Sequence, residues 1–496
     1  CTELRGSSSA SEGVFYNCKE LQSVNIPSTL ATIGRGAFYG CDNLTTITGD
    51  LSSITTINSY AFAGDTKLTG DLIFPSLKTL PYLTFTRTAI RSFSAQSLES
   101  IISSNSNSEN AFYNCKELQS VDLPSVVNIG RSAFNGCTSL KEVFAPIVQE
   151  ISAVAFYGCT SLSDFSLPVS LASIGSEAFY NCTSLGIEEL DLPNLTSLGS
   201  NAFVNVPIKK ISNLGGITSF PNGIVNKSTT TSVTIPTGVT SLANSWLSGY
   251  SVLEEVYGSH LTTIGYSAFY NCTSLKRVDF SSVTSLQVNT FYNCTNLISL
   301  PEFERVTFVG VECFSKATSI KEFSAPILQT IDHHAFSGCS SLERINIPMV
   351  TTINYNAFYG CSNLTGDLVL NEVQTIGQEA FNGANIKSLV CEKLSAIYPV
   401  AFKNNESLSI VKLPAITVID HTVFSGCIKL ATIHLGESIT SINYNAFYGC
   451  VSIRNIVILN ETPPSLGSSA FSNTNNTFLI YVHYRLKSMK NKEKNY

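Results

Sequence analysis

Charge is the scarcest ingredient of this chain. Asp, Glu, Lys and Arg make up 13% of its 496 residues, well below the roughly 25% of an ordinary soluble domain. There is a single Trp, and there are only two Met. The formal net charge of −6 is small for the length. A phosphate-binding surface needs a clustered basic face, so nucleic acid is excluded as the main partner. No apolar run reaches the roughly 18 residues of a membrane-crossing helix, so no membrane span is expected. The sequence also lacks a Gly-rich phosphate loop, a Gly-x-Ser-x-Gly elbow, a His-Glu-x-x-His helix and any Cys-x-x-Cys pair. Those absences remove the commonest sequence signatures of nucleotide, hydrolase and zinc chemistry, and no cofactor or metal is expected.

What the chain has in abundance is repetition. Length alone would suggest about three domains of ~150 residues, but a periodic chain grows by adding coils instead. The recurring anchor is Ala-Phe followed three residues later by Cys, as in Ala37-Phe38 to Cys41, Ala111-Phe112 to Cys115, Ala178-Phe179 to Cys182 and Ala446-Phe447 to Cys450. Anchor Phe residues run from Phe15 to Phe203 and from Phe269 to Phe471, mostly 22 or 23 residues apart. Ile224 and Leu247 stand where the two anchors missing from the intervening gap belong, which gives 21 coils.

Each unit reads Cys-x-x-Leu-x-x-Val-x-Leu-Pro, then x-x-Leu-x-x-Ile-Gly-x-x-Ala-Phe. Leu118–Pro124 shows the first half and Val127–Phe134 the second. These apolar runs are too short for ordinary helices and are expected to form short strands. The Pro ends the first run because it has no N–H for a ladder. The Gly after Ile is expected to relax the backbone at the second bend. Coils stacked at the strand spacing of about 4.8 Å would lay a parallel sheet along one face, and 21 of them would span roughly 100 Å. One coil cannot bury its own apolar side, so the Phe, Leu, Val and Ile columns are expected to be core.

These residues resemble the leucine-rich repeat proteins of the BspA type, also called the Treponema type. The resemblance covers the chain up to about Tyr481. The register of the Cys, three residues before the strand Leu rather than after the strand, marks this subclass. The resemblance implies secretion or display on a cell surface, and attachment to host matrix proteins or to other cells. It also implies a capped final coil after Thr462-Pro463-Pro464. Here residues 481–496 are a basic tail instead, an atypical cap. The chain opens inside a repeat, at Cys1-Thr2-Glu3-Leu4, and a truncation is expected there.

The remaining polar groups point to structure more than to chemistry. Twelve of the fifteen Cys sit three residues after an anchor and Cys1 fits the same slot. These are expected to be buried free thiols. Cys313 and Cys391 fall elsewhere and are the better candidates for reactivity. His333-His334 and His421 share one turn position and are expected to be exposed. Paired carboxylates such as Glu188-Glu189 and Glu254-Glu255 face no cleft, as a glycosidase would require. The chain is therefore not expected to be an enzyme.

A partner is expected on the strand face, through the residue between the second and third apolar positions of each coil. Down the chain that position holds Asn25, Asp122, Phe144, Asp191, Tyr257, Asp279, Lys412 and His434, among others. Phe144 and Tyr257 are exceptional for their size. A second candidate is the irregular stretch 205–260, which loses the anchor and the Cys and holds Trp246. The candidate binding residues are thus Phe144, Asp191, Trp246, Tyr257, Asp279 and Lys412. The partners expected are host extracellular matrix or cell-surface proteins, with a glycan-binding or cell-envelope structural module, or an intracellular scaffold, as alternatives. Ser103 to Asn110 is expected to be a flexible surface loop.

Overall fold

The computed structural model describes residues 3–4, 13–102, 110–475 and 477–482. The chain is a parallel β-solenoid of about 20 turns. Among the described residues the only helical element is one 3-10 turn, Leu51–Ser53. Two compact units, Cys1–Val239 and Thr240–Tyr496, divide the chain, inside the stretch where the anchor is lost.

Most coils contribute two strands, which pair in parallel with their counterparts one repeat away. In the first unit Ser120–Asp122 pairs with Glu142–Phe144, Val121 opposite Val143. In the second unit Ile410–Leu413 pairs with Thr432–Leu435, Val411 opposite Ile433. The shorter ladder runs through the Ile of the second half-repeat, with Ile129 opposite Ile151 and Ile331 opposite Ile353. Alternation along the first strand puts Val143 inside and Glu142 and Phe144 outside, as the period of two requires. The sequence register of the face therefore holds: Asn25, Asp122, Phe144, Asp191, Tyr257, Asp279, Lys412 and His434 are all exposed or half-buried.

The anchor Phe side chains form stacks within each unit. Phe112 and Phe134 lie 5.1 Å apart with ring planes 5° from parallel, and Phe336 and Phe358 repeat this at 5.1 Å and 5°. Such contacts contribute about 0.5–1.5 kcal/mol each beyond the area they bury. Leu247 is buried in its anchor slot, but Ile224 is one residue off. The Asn201 N–H to Asn222 O bond and the left-handed Gly223 put Ile224 in the Ala slot and Val225 in the anchor slot. A branched aliphatic thus continues the column where Phe is missing.

The anchor turn holds a backbone feature that hydrophobic patterning does not announce. In most coils two residues take the left-handed conformation. Two positions after the anchor they are mostly Asn or Gly, such as Asn114 and Gly136, but two positions before it they include Val154, Leu83 and Thr422. A β-branched residue there is strained. Ladder bonds offset the strain: the Val154 N–H donates to Ser176 O at 2.9 Å, the Phe156 N–H to Ala178 O at 2.8 Å and the Gly158 N–H to Tyr180 O at 2.8 Å. The amides between these close bonds within the turn, as Cys159 N–H does to Phe156 O at 3.1 Å.

The glycine after the Ile corrects the sequence reading. Gly175, Gly199, Gly265, Gly377 and Gly467 do not take positive φ. A Cβ on Gly175 would lie 2.2 Å from Ala153 N, and one on Gly199 2.1 Å from Ser176 N. Glycine stands there because the preceding coil's backbone comes too close for a side chain, not because the bend needs left-handed freedom. Asn110 is a second correction. It is fully buried, and its side-chain oxygen accepts the Ala111 N–H at 3.0 Å, so it belongs to the next anchor turn. Residues 103–109 of the expected loop lie outside the described residues, as do 483–496 of the basic tail. The last described strand, Leu479–Val482, pairs with Asn455–Ile458.

Candidate functional site

The interior chemistry is uniform. Among the described residues every ladder Cys except Cys18 is buried and none forms a disulfide. Their thiols are not merely apolar fillers. Cys137 Sγ–H donates to Phe112 O at 3.0 Å, Cys159 to Phe134 O at 3.1 Å and Cys361 to Phe336 O at 3.2 Å. Each thiol thus satisfies the anchor carbonyl of the preceding coil. Burial pushes the Cys115 thiol up to about 11 and Cys361 up to about 12, so neither forms a thiolate near neutrality.

Cys313 and Cys391 overturn the expectation of reactivity. Both are fully buried, and burial raises both thiols, Cys391 to about 12. Cys313 occupies the Ala position of the anchor, and Cys391 the third apolar position of the strand. They are out of the Cys slot but not out of the core.

Where the Cys slot holds Asn405 or Asp65 the polar role is kept, whereas Val206, Ala317 and Ala384 fill it with apolar side chains. Asn405 Nδ2 donates to Phe381 O at 2.7 Å. Asp65 fills the slot with a fully buried carboxyl. Its Oδ1 accepts the Cys41 N–H at 2.8 Å, and its Oδ2 has no partner. Burial, before all other causes, pushes Asp65 up to about 9. The interior therefore holds a neutral carboxylic acid at pH 7.

The strand face is where chemistry varies. Phe144 is 56% exposed and stands opposite Asp122 in the ladder. Asp122 accepts from Ser94 Oγ at 3.0 Å and from Gln96 Nε2 at 2.7 Å. Glu142 is bridged in parallel to Asp164 on the next coil. Asp122, Glu142, Phe144 and Asp164 line one open depression of about 400 Å³, together with Ile73 and Ser120. Asp191 lies further along the same unit, on the exposed side of Ile187–Asp191, and borders a depression that also includes Asp164. Phe144 and Asp191 are thus on one face but in different depressions.

The other expected residues belong to the second unit. Tyr257 is half-buried, and its hydroxyl donates to Glu255 Oε2 at 3.0 Å. It stands opposite Asp279, so the structure brings these two together. Lys412 is exposed between Val390 and His434 in the ladder. It lines a depression with His434, Glu392 and Leu459, and burial first and Lys412 second lower the His434 pKa. Trp246 is not on the strand face. It takes the Ala position beside Leu247 and packs edge-on against Phe269 at 6.1 Å.

His333 and His421 lie on exposed turns. His421 Nδ1 is 2.9 Å from Asp420 Oδ1, and His333 makes the same contact with Asp332, 2.5 Å away. Among the described residues no group of three or more His, Cys, Asp and Glu could hold a metal ion. No helix among them is long and apolar enough to cross a membrane.

Sequence reading passed over two features. Glu142 and Asp164 are one repeat apart, so the 22-residue period already placed them side by side. Asp65 stands three residues after Phe62, in the Cys slot. Both were legible from the repeat register.

The model of the BspA type leucine rich repeat region matches in six overlapping copies: residues 5–110, 106–228, 184–298, 218–339, 296–409 and 395–493. The chain belongs to the BspA-type leucine-rich repeat family. Proteins of this family are commonly surface-associated. A search of curated proteins finds no match.

Solved structures similar to this BspA-type chain include a leucine-rich repeat protein from Bacteroides ovatus, 26% identical over 71% of this chain and 80% of that one, with a TM-score of 0.34. A leucine rich cell surface protein from Faecalibacterium prausnitzii is 22% identical over 68% of this chain and 82% of that one, with a TM-score of 0.29. A leucine-rich repeat protein of T. pallidum is 26% identical over 41% and 77%, with a TM-score of 0.24. The family assignment rests on the repeat model. Leucine-rich repeat solenoids are typically non-catalytic scaffolds that bind proteins.

Proposed function

We propose that this chain is a secreted or surface-displayed adhesion solenoid that binds host matrix proteins or other cells through its strand face. The observation that supports this most is the contrast between the two sides of each strand. Val143 points inward and is conserved in kind at every coil, whereas its neighbours Glu142 and Phe144 point outward and change from coil to coil. A laterally stacked row of such outward residues gives an extended surface that the core does not constrain. Exposed aromatics on such a surface serve as binding anchors. Phe144 is the largest of these in the first unit, and the Tyr257–Asp279 pair is its counterpart in the second.

The test is surface plasmon resonance of the whole chain over immobilised fibronectin and fibrinogen at physiological salt. Saturable binding at a Kd of about 1 μM or tighter, equivalent to about 8 kcal/mol, supports the reading if Phe144→Ser or Tyr257→Ser weakens it. Absence of binding to both proteins, and to intact host cells, overturns it.

A further inference from the structure

The outward carboxylates of the first unit are not balanced. Glu142 and Asp164 are direct lateral neighbours, and like charges opposite one another destabilise a ladder. Asp122 stands opposite Phe144 on the adjoining strand, and Asp71 lies outward two coils earlier. Asp71 and Asp122 accept only from neutral Ser and Gln side chains. Among the described residues none of these four carboxylates has an ion-pair partner. Arg91 and Lys141 stand one position before the outward column, and they too form none with these carboxylates.

Elsewhere the same fold answers several charges with the next coil. Lys210 meets Glu189 at 2.9 Å, Lys276 meets Glu254 at 2.9 Å, Arg344 meets Glu322 and Lys393 meets Glu372 at 2.7 Å. Coil-to-coil neutralisation is therefore available. It is absent around Phe144, as it also is at Asp367 and Glu302, which accept from Ser388 and Ser324. What sets the Phe144 region apart is the exposed aromatic ring among its carboxylates. There Asp122, Glu142 and Asp164 line one open depression together with the exposed Phe144 ring and the exposed Ile73.

We infer that this depression docks a basic, Arg- or Lys-bearing extended segment of a partner protein. The cationic head would sit among Asp122, Glu142 and Asp164. Its alkyl stem, or the guanidinium plane, would lie on Phe144, where ring and carboxylates attract the same group. Neighbouring apolar side chains of the segment would reach Ile73. Polyanions, including sulfated glycans, are repelled by the same charges. The inference rests on the reading of the chain as a protein-binding solenoid, and it names the chemistry that one of its surfaces selects.

The experiment is surface plasmon resonance of the whole chain against a short synthetic peptide alternating arginine and leucine, with the glutamate–leucine peptide as counterpart. The expected result is saturable binding of the arginine peptide alone, weakened by added salt. The double variant Glu142→Gln/Asp164→Asn is expected to weaken it about tenfold and Phe144→Ser several-fold, while Glu322→Gln leaves it unchanged. The double variant is expected to melt at or above the wild-type temperature, which keeps loss of binding separate from loss of fold. No binding of the arginine peptide, equal binding of the glutamate peptide, or undiminished binding by the double variant overturns the inference. If matrix proteins still bind that double variant fully, the inference falls and the adhesion reading stands. If the arginine peptide binds through this face while no matrix protein or host cell binds, the inference stands and the adhesion reading falls.

Discussion

Phe134 closes one repeat and Phe144 lies on the first strand of the next, and the two serve opposite purposes. Phe134 is 0% exposed, stacked between Phe112 and Phe156. Phe144 is 56% exposed on the strand face. The residue type is identical, so only position in the repeat separates core from surface. In a solenoid the interior column must satisfy a neighbour above and below, and it tolerates little variation. The outward column has no such duty, and the chain can write recognition there at small cost to the fold.

The largest way to break that division is from the inside. Phe134→Ala is expected to cost about 3–5 kcal/mol, the price of a large cavity in a packed core. Denaturant unfolding followed by circular dichroism measures it, and a cost below about 1 kcal/mol would mean the stack is not what holds adjacent coils.

Among the described residues Asp65 is the one fully buried carboxyl, and it stands among the interior thiols. Its folded-state value is raised from 3.8 to about 9. Below the ordinary value the proton is held in both states. Between there and about 9 the unfolded chain releases a proton that the folded chain keeps, so stability is lost as pH rises through that window and levels off above it. Asp65→Asn keeps the shape and supplies donors, as Asn405 does in its own coil. It is expected to stabilise the protein by roughly 1–3 kcal/mol at pH 8 and to remove this pH dependence. Melting curves from pH 5 to 9 that are parallel for both proteins would contradict a buried neutral acid.

Changes on the strand face should matter less to the fold. Glu142→Gln relieves the lateral repulsion with Asp164 and is expected to gain about 0.2–1 kcal/mol, read by denaturant unfolding at low salt. Glu322→Gln removes the partner of Arg344. Both side chains are well exposed, so the loss should be small and should fade with salt. A larger loss there than the gain at Glu142 would reverse the distinction between the neutralised and the unbalanced parts of the face.

Most of the fold was legible because the period is short and the anchor is distinctive. The spacing placed Leu247 in a slot that holds no Phe, and it is buried there; the other empty slot was read one residue early, at Ile224 instead of Val225. It also oriented Phe144 and Lys412 outward. What the pattern could not convey was the closeness of adjacent backbones. Gly175 looked like a flexible bend and is instead a point of contact with Ala153. The left-handed turn residues stayed hidden for a related reason, since ladder bonds from the next coil let Val154 hold a conformation that its own preferences oppose. Trp246 drew attention by rarity, although counting from Leu247 would have put it on the anchor turn. The candidate face was readable one column deep. The second column, with Glu142 and Asp164, appears only when repeats are laid side by side.

The most direct measurement takes Phe144→Ser and Phe134→Ala side by side, each through thermal melting and binding to the arginine–leucine peptide. The division of labour predicts that Phe144→Ser melts with the wild type and binds several-fold more weakly, whereas Phe134→Ala melts far lower. A Phe144→Ser protein that binds as the wild type does, or that loses as much stability as Phe134→Ala, would contradict it.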